Sequence, residues 1–292
     1  MVTDNAISFE PSATTLSPSQ FERISRIVYE RCGICLPNGK ESLVKSRLLK
    51  RLNSLGMTSF GEYVKHLDED LSNQELSAMI DALTTNKTSF FREFEHFEFI
   101  RTQLFPKFVG SRARLKFWSA GCSTGEEPFS LAILMKEVLP EETLNRCQIL
   151  ATDISRHVLM QAHTATYAEE TMPETHAQLV KKYSHPIKGK TSRLYRIRDD
   201  IREMVRFARL NLIDKWPMNG QFDLIMCRNV MFYFDNEIRK NLVRRFGEQL
   251  KPGGYLFVGH SESLSTSSPE FRYVQPAVYR KREPFSDEGG QP

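Results

Sequence analysis

From about Arg114 onward, short apolar runs alternate with amphipathic stretches, and this alternation constrains the fold more than any other feature of the chain. Leu115 to Ser119, Ile149 to Thr152, Val205 to Arg209, Phe222 to Met226 and Tyr255 to Val258 have strand character, bounded by turn residues. Pro128 to Val138, Ser155 to Ala162 and Asn236 to Leu250 carry helical spacing, the last running into Lys251-Pro252-Gly253-Gly254. Strands separated by helices predict a parallel α/β sheet whose site lies at the carboxyl ends of the strands. The alternation breaks between about Tyr167 and Glu203. There Leu194 to Ile197 alternates like a strand and Met172 to Tyr183 is helical, so a small inserted subdomain is expected.

Residues 17 to about 90 read as a separate all-helical domain. Ser17-Pro18-Ser19-Gln20 has the form of a capping box, followed by an apolar face of Phe21, Ile24, Ile27 and Val28. A second helix spans about Lys40 to Leu55 with Gly56 as its stop, and helical patterns continue over Phe60 to Leu67 and Asn73 to Leu83. On the second helix Lys40, Arg47 and Arg51 share one stripe, with Lys50 nearby. A solvated face is the plain reading and a docking surface for an acidic partner the sharper one. Residues 91–112 read as a connector, and 1–16 and 284–292 as flexible ends.

With 292 residues, 40% of them apolar, the chain can bury one core and has length for two domains. No apolar run approaches the roughly 18 residues of a membrane helix, and the N-terminus lacks the pattern of a signal peptide, so direct membrane insertion is not expected and the cytoplasm is. A net charge of only +4 argues against a dedicated nucleic-acid binder. The five cysteines are too few and too scattered for a disulfide framework. Cys32 and Cys35 form a C-x-x-C, but no partner pair follows at zinc spacing, so burial is favoured over metal or redox chemistry and no metal site is expected.

Four motifs carry chemistry. Trp118-Ser-Ala-Gly121-Cys-Ser-Thr-Gly125-Glu126-Glu127-Pro128 is a strand, a glycine turn and a helix start, where a ligand can approach the backbone closely. It is not the dinucleotide fingerprint, and Glu126 and Glu127 would repel a pyrophosphate; a cationic sulfonium suits them better, although two acids also simply favour a helix dipole. Asp153, 28 positions after Gly125, ends the second strand, where a carboxylate can accept both hydroxyls of a ribose or else cap the next helix. Thr84-Thr85-Asn86-Lys87-Thr88-Ser89-Phe90-Phe91-Arg92 could pack on a ligand as a lid, but Thr and Asn are also ordinary cap and turn residues and the run is unreadable alone. Finally, the strand Phe222 to Met226 delivers Arg228, Asn229 and Tyr233 to the site edge, with Asn229 as a plain cap the alternative.

Together these motifs closely resemble the chemotaxis receptor methyltransferase (CheR) family, over roughly residues 17 to 283. The likeness includes I-x-x-x-x-x-G-I from Ile27 to Ile34, T-T-N-x-T-x-F-F-R, G-C-S-T-G-E-E-P, A-T-D-I-S, N-L-I, C-R-N-V-M-x-Y-F and L-K-P-G-G. The resemblance implies an α-helical N-terminal domain followed by a Rossmann-like S-adenosylmethionine-dependent methyltransferase domain, here 113–283, with a small antiparallel β insert at about 167–203. The implied activity is esterification of glutamate γ-carboxylates on the helical cytoplasmic domains of chemoreceptors, with S-adenosylhomocysteine as product. By resemblance Asn86, Thr88 and Arg92 reach the cofactor, Glu126 lies near its charged end, Asp153 holds the ribose, and Asn211, Leu212, Arg228 and Asn229 complete the pocket. Ser119 and Ser123 replace the acid and the middle glycine of methyltransferases in general.

A glutamate carboxylate, with an ordinary pKa of about 4.3, is already nucleophilic at neutral pH, so no strong base is required. Arg92 and Tyr233 are the candidates for orienting it. The resemblance also strengthens the docking reading of Lys40, Arg47 and Arg51, because the family's receptor helices are glutamate-rich. Some members tether to a receptor C-terminal pentapeptide through the β insert, and the insert here, with Gly189 its one glycine over Ser184 to Arg198, does not decide the matter. A monomer is the default expectation. Two rival readings stand beside this one: a nucleic-acid base methyltransferase, disfavoured because Cys227-Arg228-Asn229-Val230 occupies the place of that group's Asn/Asp-Pro-Pro-aromatic, and a non-catalytic cofactor-binding relative.

Overall fold

The computed structural model describes residues 15–70, 74–189, 192–218, 220–264 and 268–283; of the expected flexible ends 1–16 and 284–292, residues 1–14 and 284–292 lie outside them. The chain forms two compact units, Met1–Thr85 and Asn86–Pro292. The division falls a few residues before the expected position near 90. The reason is local: beyond Thr85 the chain is held by the second unit, with Phe90 and Phe91 in its core and the Phe91 N–H donating to Ser130 Oγ at 2.9 Å.

The first unit contains α1 (Pro18–Cys32), α2 (Glu41–Leu55), α3 (Phe60–Glu69) and α4 (Gln74–Leu83). Ser17 and Gln20 form the expected reciprocal cap, and Gly33 and Gly56 end α1 and α2 in the left-handed conformation. Phe21, Ile24 and Val28 of α1, Val44, Leu48 and Leu52 of α2, Phe60 and Tyr63 of α3, and Met79 and Ile80 of α4 make the core. Cys32 ends α1, buried, its thiol donating to the Val28 carbonyl and pushed up to about 11 by burial; Cys35 is exposed and all five cysteines are free.

The basic stripe on α2 is not a uniformly solvated row. Arg51 turns inward and holds the buried Glu75 with Nε at 3.1 Å and Nη2 at 2.5 Å, while the Tyr63 hydroxyl donates to the same carboxylate at 2.8 Å. Arg47 donates to the Leu83 carbonyl and, at 2.8 Å, to Thr85 Oγ1. Both arginines therefore fasten α2 to the α4 side of the bundle, and Lys40 and Lys50 are the exposed members of the group. Replacing Arg51 by Met should leave Glu75 buried without its cation and destabilise this unit by about 1.5–3 kcal/mol, read as a lower urea midpoint at unchanged slope.

The second unit opens with α5 (Phe94–Phe99), continued by a π turn at Ile100–Leu104 and a 3-10 turn at Phe105–Lys107, so the stretch expected as a connector is itself helical. Then follow β1 (Leu115–Ala120), α6 (Glu126–Val138), α7 (Glu141–Leu144), β2 (Cys147–Asp153), α8 (Arg156–Thr164), β3 (Thr166–Ala168), α9 (Ala177–Lys182), β4 (Ser184–Lys188), β5 (Arg193–Ile197), α10 (Asp199–Arg202), β6 (Val205–Arg209), β7 (Phe222–Cys227), α11 (Asn236–Gln249), β8 (Leu250–Val258), β9 (Phe271–Gln275) and β10 (Val278–Lys281). One sheet has the order β6-β2-β1-β7-β8-β10-β9, parallel from β6 to β8, and the expected insert is a separate antiparallel sheet of order β3-β5-β4.

Alternate residues of the central strands enter opposite layers. Phe117, Leu224 and Met226 join Ile133 and Met135 of α6 on one face, while Trp118, Ile225 and Cys227 join Leu242 and Phe246 of α11 on the other. Burial on both faces explains why these strands read as continuous apolar runs. Two sequence expectations change. The helix expected over Met172 to Tyr183 is confined to Ala177–Lys182, because Pro173 holds Met172 extended at φ −82° and ψ 134°. The strand expected over Tyr255 to Val258 begins earlier, at Leu250, and Lys251 to Gly254 form within it an irregularity that shifts its register against β7. The β9–β10 pair had no strand expectation at all.

Candidate active site

Strand order reverses where β1 lies between β2 and β7, the position at which open parallel sheets bind ligands beyond the carboxyl ends of their strands. The sequence-predicted residues of the second unit converge on this end. After β1 the chain turns at Gly121, whose N–H, with that of Cys122, donates to the Thr152 carbonyl at the end of β2. Gly121 has φ 88°, and a β-carbon there would lie 2.4 Å from Val230 Cγ2, so only glycine lets the β1 and β7 loops meet.

Asp153 ends β2 with one carboxylate oxygen on the Ser123 N–H and the other on the Ser155 N–H, each at 2.9 Å. The cap of α8 is Ser155 itself, which receives the Val158 N–H, so Asp153 braces the glycine turn rather than capping the helix. Leu210, just past β6, donates its N–H to the Asp153 carbonyl at 2.9 Å and brings Asn211 and Leu212 to the same end of the sheet. Asn211 is half-buried. Leu212 is buried, and its carbonyl accepts from Trp216 Nε1 and Arg245 Nη1.

A strap from Asn86 to Arg92 crosses the turn. Ser123 Oγ donates to the Asn86 carbonyl at 2.9 Å, Arg92 Nη1 donates back to the Lys87 carbonyl at 2.9 Å, and Thr88 between them is half-buried. Phe91, Glu93, Ser123 and Asn229, all in the site segments, adopt left-handed φ values of 54°, 55°, 49° and 58°. Non-glycine residues in that region cost about 1–3 kcal/mol each and persist only where the surroundings hold them.

Arg228 holds one of them, Glu93, directly, and through it Asn229. Its side chain is 2% exposed, pairs with Glu93 and Glu127 at 3.0 Å each, and donates to the Arg92 carbonyl at 2.5 Å. Arg228 is one of the residues expected in the cofactor pocket, and its guanidinium is engaged by these protein groups. Asn229 Nδ2 donates to the other Glu93 oxygen at 3.3 Å. Tyr233 lies in the 3-10 turn Met231–Tyr233, partly exposed, its ring 4.2 Å from that of Phe232.

The acids respond differently to this setting. Burial raises the Glu126 carboxyl, which Thr124 Oγ1 contacts at 2.6 Å, and burial likewise raises Glu127 in spite of Arg228 and a 2.7 Å bond from Ser119 Oγ. For Glu93 burial also acts upward, but the Arg228 charge and hydrogen bond outweigh it and the carboxyl lies below its ordinary value. Ser119 thus supplies a hydroxyl to Glu127. Sequence reasoning missed Glu93, whose only signal was its place next to Arg92.

Glu93, His96 and His260 bring potential metal-ligand atoms within 4.8 Å of one another. Arg228 Nη2 lies 3.0 Å from Glu93 Oε2, and that cation opposes a divalent ion on the same oxygen. His96 is fully buried, and burial, followed by the Arg228 charge, pushes it down to about 3.

A parallel sheet with its switch point at a glycine turn, an acid at the end of the second strand and further acids at the first helix define a Rossmann-like protein built for a nucleoside cofactor with a cationic group. The chain belongs to the CheR methyltransferase family: residues 19–84 match its all-alpha domain and residues 86–279 its SAM binding domain. The chain is 37% identical over 273 residues to a chemotaxis protein methyltransferase of Borreliella burgdorferi, covering 91% of this chain and 95% of that one. It is 40% identical over 266 residues to one from Klebsiella aerogenes, covering 90% of each, and 38% identical over 265 residues to one from Escherichia coli, covering 90% and 91%. It is a methyltransferase whose methyl donor is S-adenosylmethionine. Among the described residues no helix is long and apolar enough to cross a membrane.

The buried His96 makes stability depend on pH. The unfolded chain takes up a proton near 6.5 that the folded one refuses until about 3, so stability is complete above the first value and declines below it. Denaturation midpoints measured downward from pH 6.5 should show a decline of up to about 1.4 kcal/mol per pH unit that His96→Phe removes.

Proposed function

We propose that this protein esterifies glutamate side chains on the helical cytoplasmic domains of chemoreceptors, acting as a monomer and leaving glutamate γ-methyl esters and S-adenosylhomocysteine. The observation that carries the reading is the acid-lined glycine turn at the switch point: Asp153 faces the turn from β2, and the buried Glu126 stands at the N-terminus of α6. Acids there suit a ribose diol and a sulfonium and oppose a pyrophosphate, so the residues fit the cofactor.

When bound, the cofactor supplies a sulfonium methyl that a glutamate carboxylate attacks in line, its sulfur leaving as a neutral thioether. The protein's own residues position and desolvate. Asp153 holds the ribose, Glu126 accompanies the positive end, Asn86, Thr88 and Arg92 cover the site as a strap, and Asn211, Leu212 and Asn229 line it. Arg228 acts one step back, by fixing Glu127, Glu93 and the Arg92 carbonyl. Arg92 and Tyr233 orient the incoming carboxylate. Because the nucleophile is already ionised and meets a cation, alignment and exclusion of water are the main tasks, and alignment can supply roughly 7–11 kcal/mol.

Docking of the receptor uses the exposed Lys40 and Lys50 on the α2 face, with Arg47 adding its charge from behind its bonds to the Leu83 carbonyl and Thr85, while the charge of Arg51 is offset by Glu75. Capture of a receptor C-terminal pentapeptide belongs to the same reading. Among the described residues β4 is an edge strand of the insert, paired with β5, and its outer edge is suited to addition of an extended strand.

Calorimetry with S-adenosylhomocysteine should give binding that Asp153→Ala weakens at least tenfold. With labelled methyl donor and a receptor cytoplasmic fragment, Arg92→Ala should lower transfer; unchanged affinity and transfer would remove Arg92 from the site, and no transfer by the intact protein would leave a binding module. Lys40→Glu with Lys50→Glu should weaken receptor-fragment binding and flatten its salt dependence while leaving the fold intact, and an unchanged titration would place docking elsewhere.

A further inference from the structure

The structure assigns Glu262 as a positioning residue that holds the Asn229–Tyr233 segment in its working conformation, an inference that rests on the proposed reading of that segment. Glu262 follows β8 and is 9% exposed. Its two oxygens divide the task. Oε2 accepts the Gly259 N–H at 2.7 Å and the Asn229 N–H at 2.9 Å, while Oε1 accepts the Phe232 N–H at 3.3 Å. The Glu262 N–H returns to the Gly259 carbonyl at 2.8 Å and closes the turn that presents the carboxylate.

One side chain thus satisfies backbone donors on both sides of Val230. The first belongs to left-handed Asn229, whose amide also contacts Glu93, and the second precedes Tyr233 in the 3-10 turn. Gly259 is shaped to this clamp: a β-carbon there would lie 2.5 Å from Asn229 Nδ2 and 2.9 Å from Glu262 Oε2. An ionised carboxylate accepts at both oxygens and donates at neither, which is what three converging N–H groups demand. The clamp touches neither substrate nor cofactor in this role; it acts through Asn229 and Tyr233.

The division between the oxygens gives a test. In Glu262→Gln the remaining carbonyl can keep the Gly259 and Asn229 donors, while the new NH2 faces the Phe232 N–H and repels it. That variant should bind S-adenosylhomocysteine within twofold of the intact protein, keep its melting temperature within a few degrees, and lose tenfold or more in kcat, because small displacements of an orienting group carry large rate penalties. Glu262→Ala should lose cofactor affinity as well. Equal losses of affinity and kcat in Glu262→Gln, or no loss of either, overturn the assignment. If the intact protein shows no transfer, the catalytic reading fails separately, and the clamp is read from amide exchange: faster exchange at Phe232 with Asn229 unchanged supports it, and unchanged exchange at Phe232 overturns it.

Discussion

The arrangement depends first on one buried cation. Arg228 reaches from the end of β7 to Glu127 at the start of α6 and to Glu93 and the Arg92 carbonyl on the strap. Three segments far apart in sequence therefore share one planar group whose donors are fixed in direction. Breaking a buried pair of this kind costs about 3–5 kcal/mol because a charge is left uncompensated, yet apolar replacement of a whole set can be neutral. The network's use is thus geometric. It holds Glu93 and Asn229 in left-handed conformations and leaves Arg92 free to turn its own guanidinium to the Lys87 carbonyl.

The same network explains how a site can be acidic without losing its shape. Glu126 and Glu127 both lie in the first turn of α6, where the helix dipole favours negative charge, but burial raises both carboxyls, so in these two positions desolvation outweighs the dipole. Arg228 and Ser119 relieve Glu127, and Thr124 relieves Glu126. What remains is negative potential next to a glycine turn, the electrostatic complement of a sulfonium and a poor host for a phosphate.

Legibility in sequence followed the range of the interactions. The parallel strands were readable because burial on both faces leaves an apolar run, and the Ser17–Gln20 cap because its partners are three residues apart. β9 and β10 were not, since β9 is mostly exposed and shows no apolar run. A helical wheel placed Arg47 and Arg51 on one stripe correctly, but it cannot distinguish a solvated guanidinium from one turned to Glu75 on another helix. Glu93 and Glu262 escaped for the same reason: their meaning lies in bonds to Arg228 and Asn229, across 135 and 33 positions. The position of Asp153 at the end of β2 was legible because the strand-end rule fixes it without reference to a partner, and its bond to Ser123 is what that rule left unstated.

The insert is also part of the site's construction. Tyr167 of β3, paired with Tyr195 of β5, donates its hydroxyl to the Thr124 carbonyl at 2.7 Å and stacks edge-on against Phe90 of the strap at 4.9 Å. The glycine turn is therefore held from three directions: by Asp153 from β2, by the Asn86 carbonyl from the strap, and by Tyr167 from the insert. Burial pushes the Tyr167 phenol well above its ordinary value, so it remains a donor throughout the physiological range and the link does not titrate. A small antiparallel sheet that looked from sequence like an interruption of the α/β pattern is a brace for the glycine turn after β1.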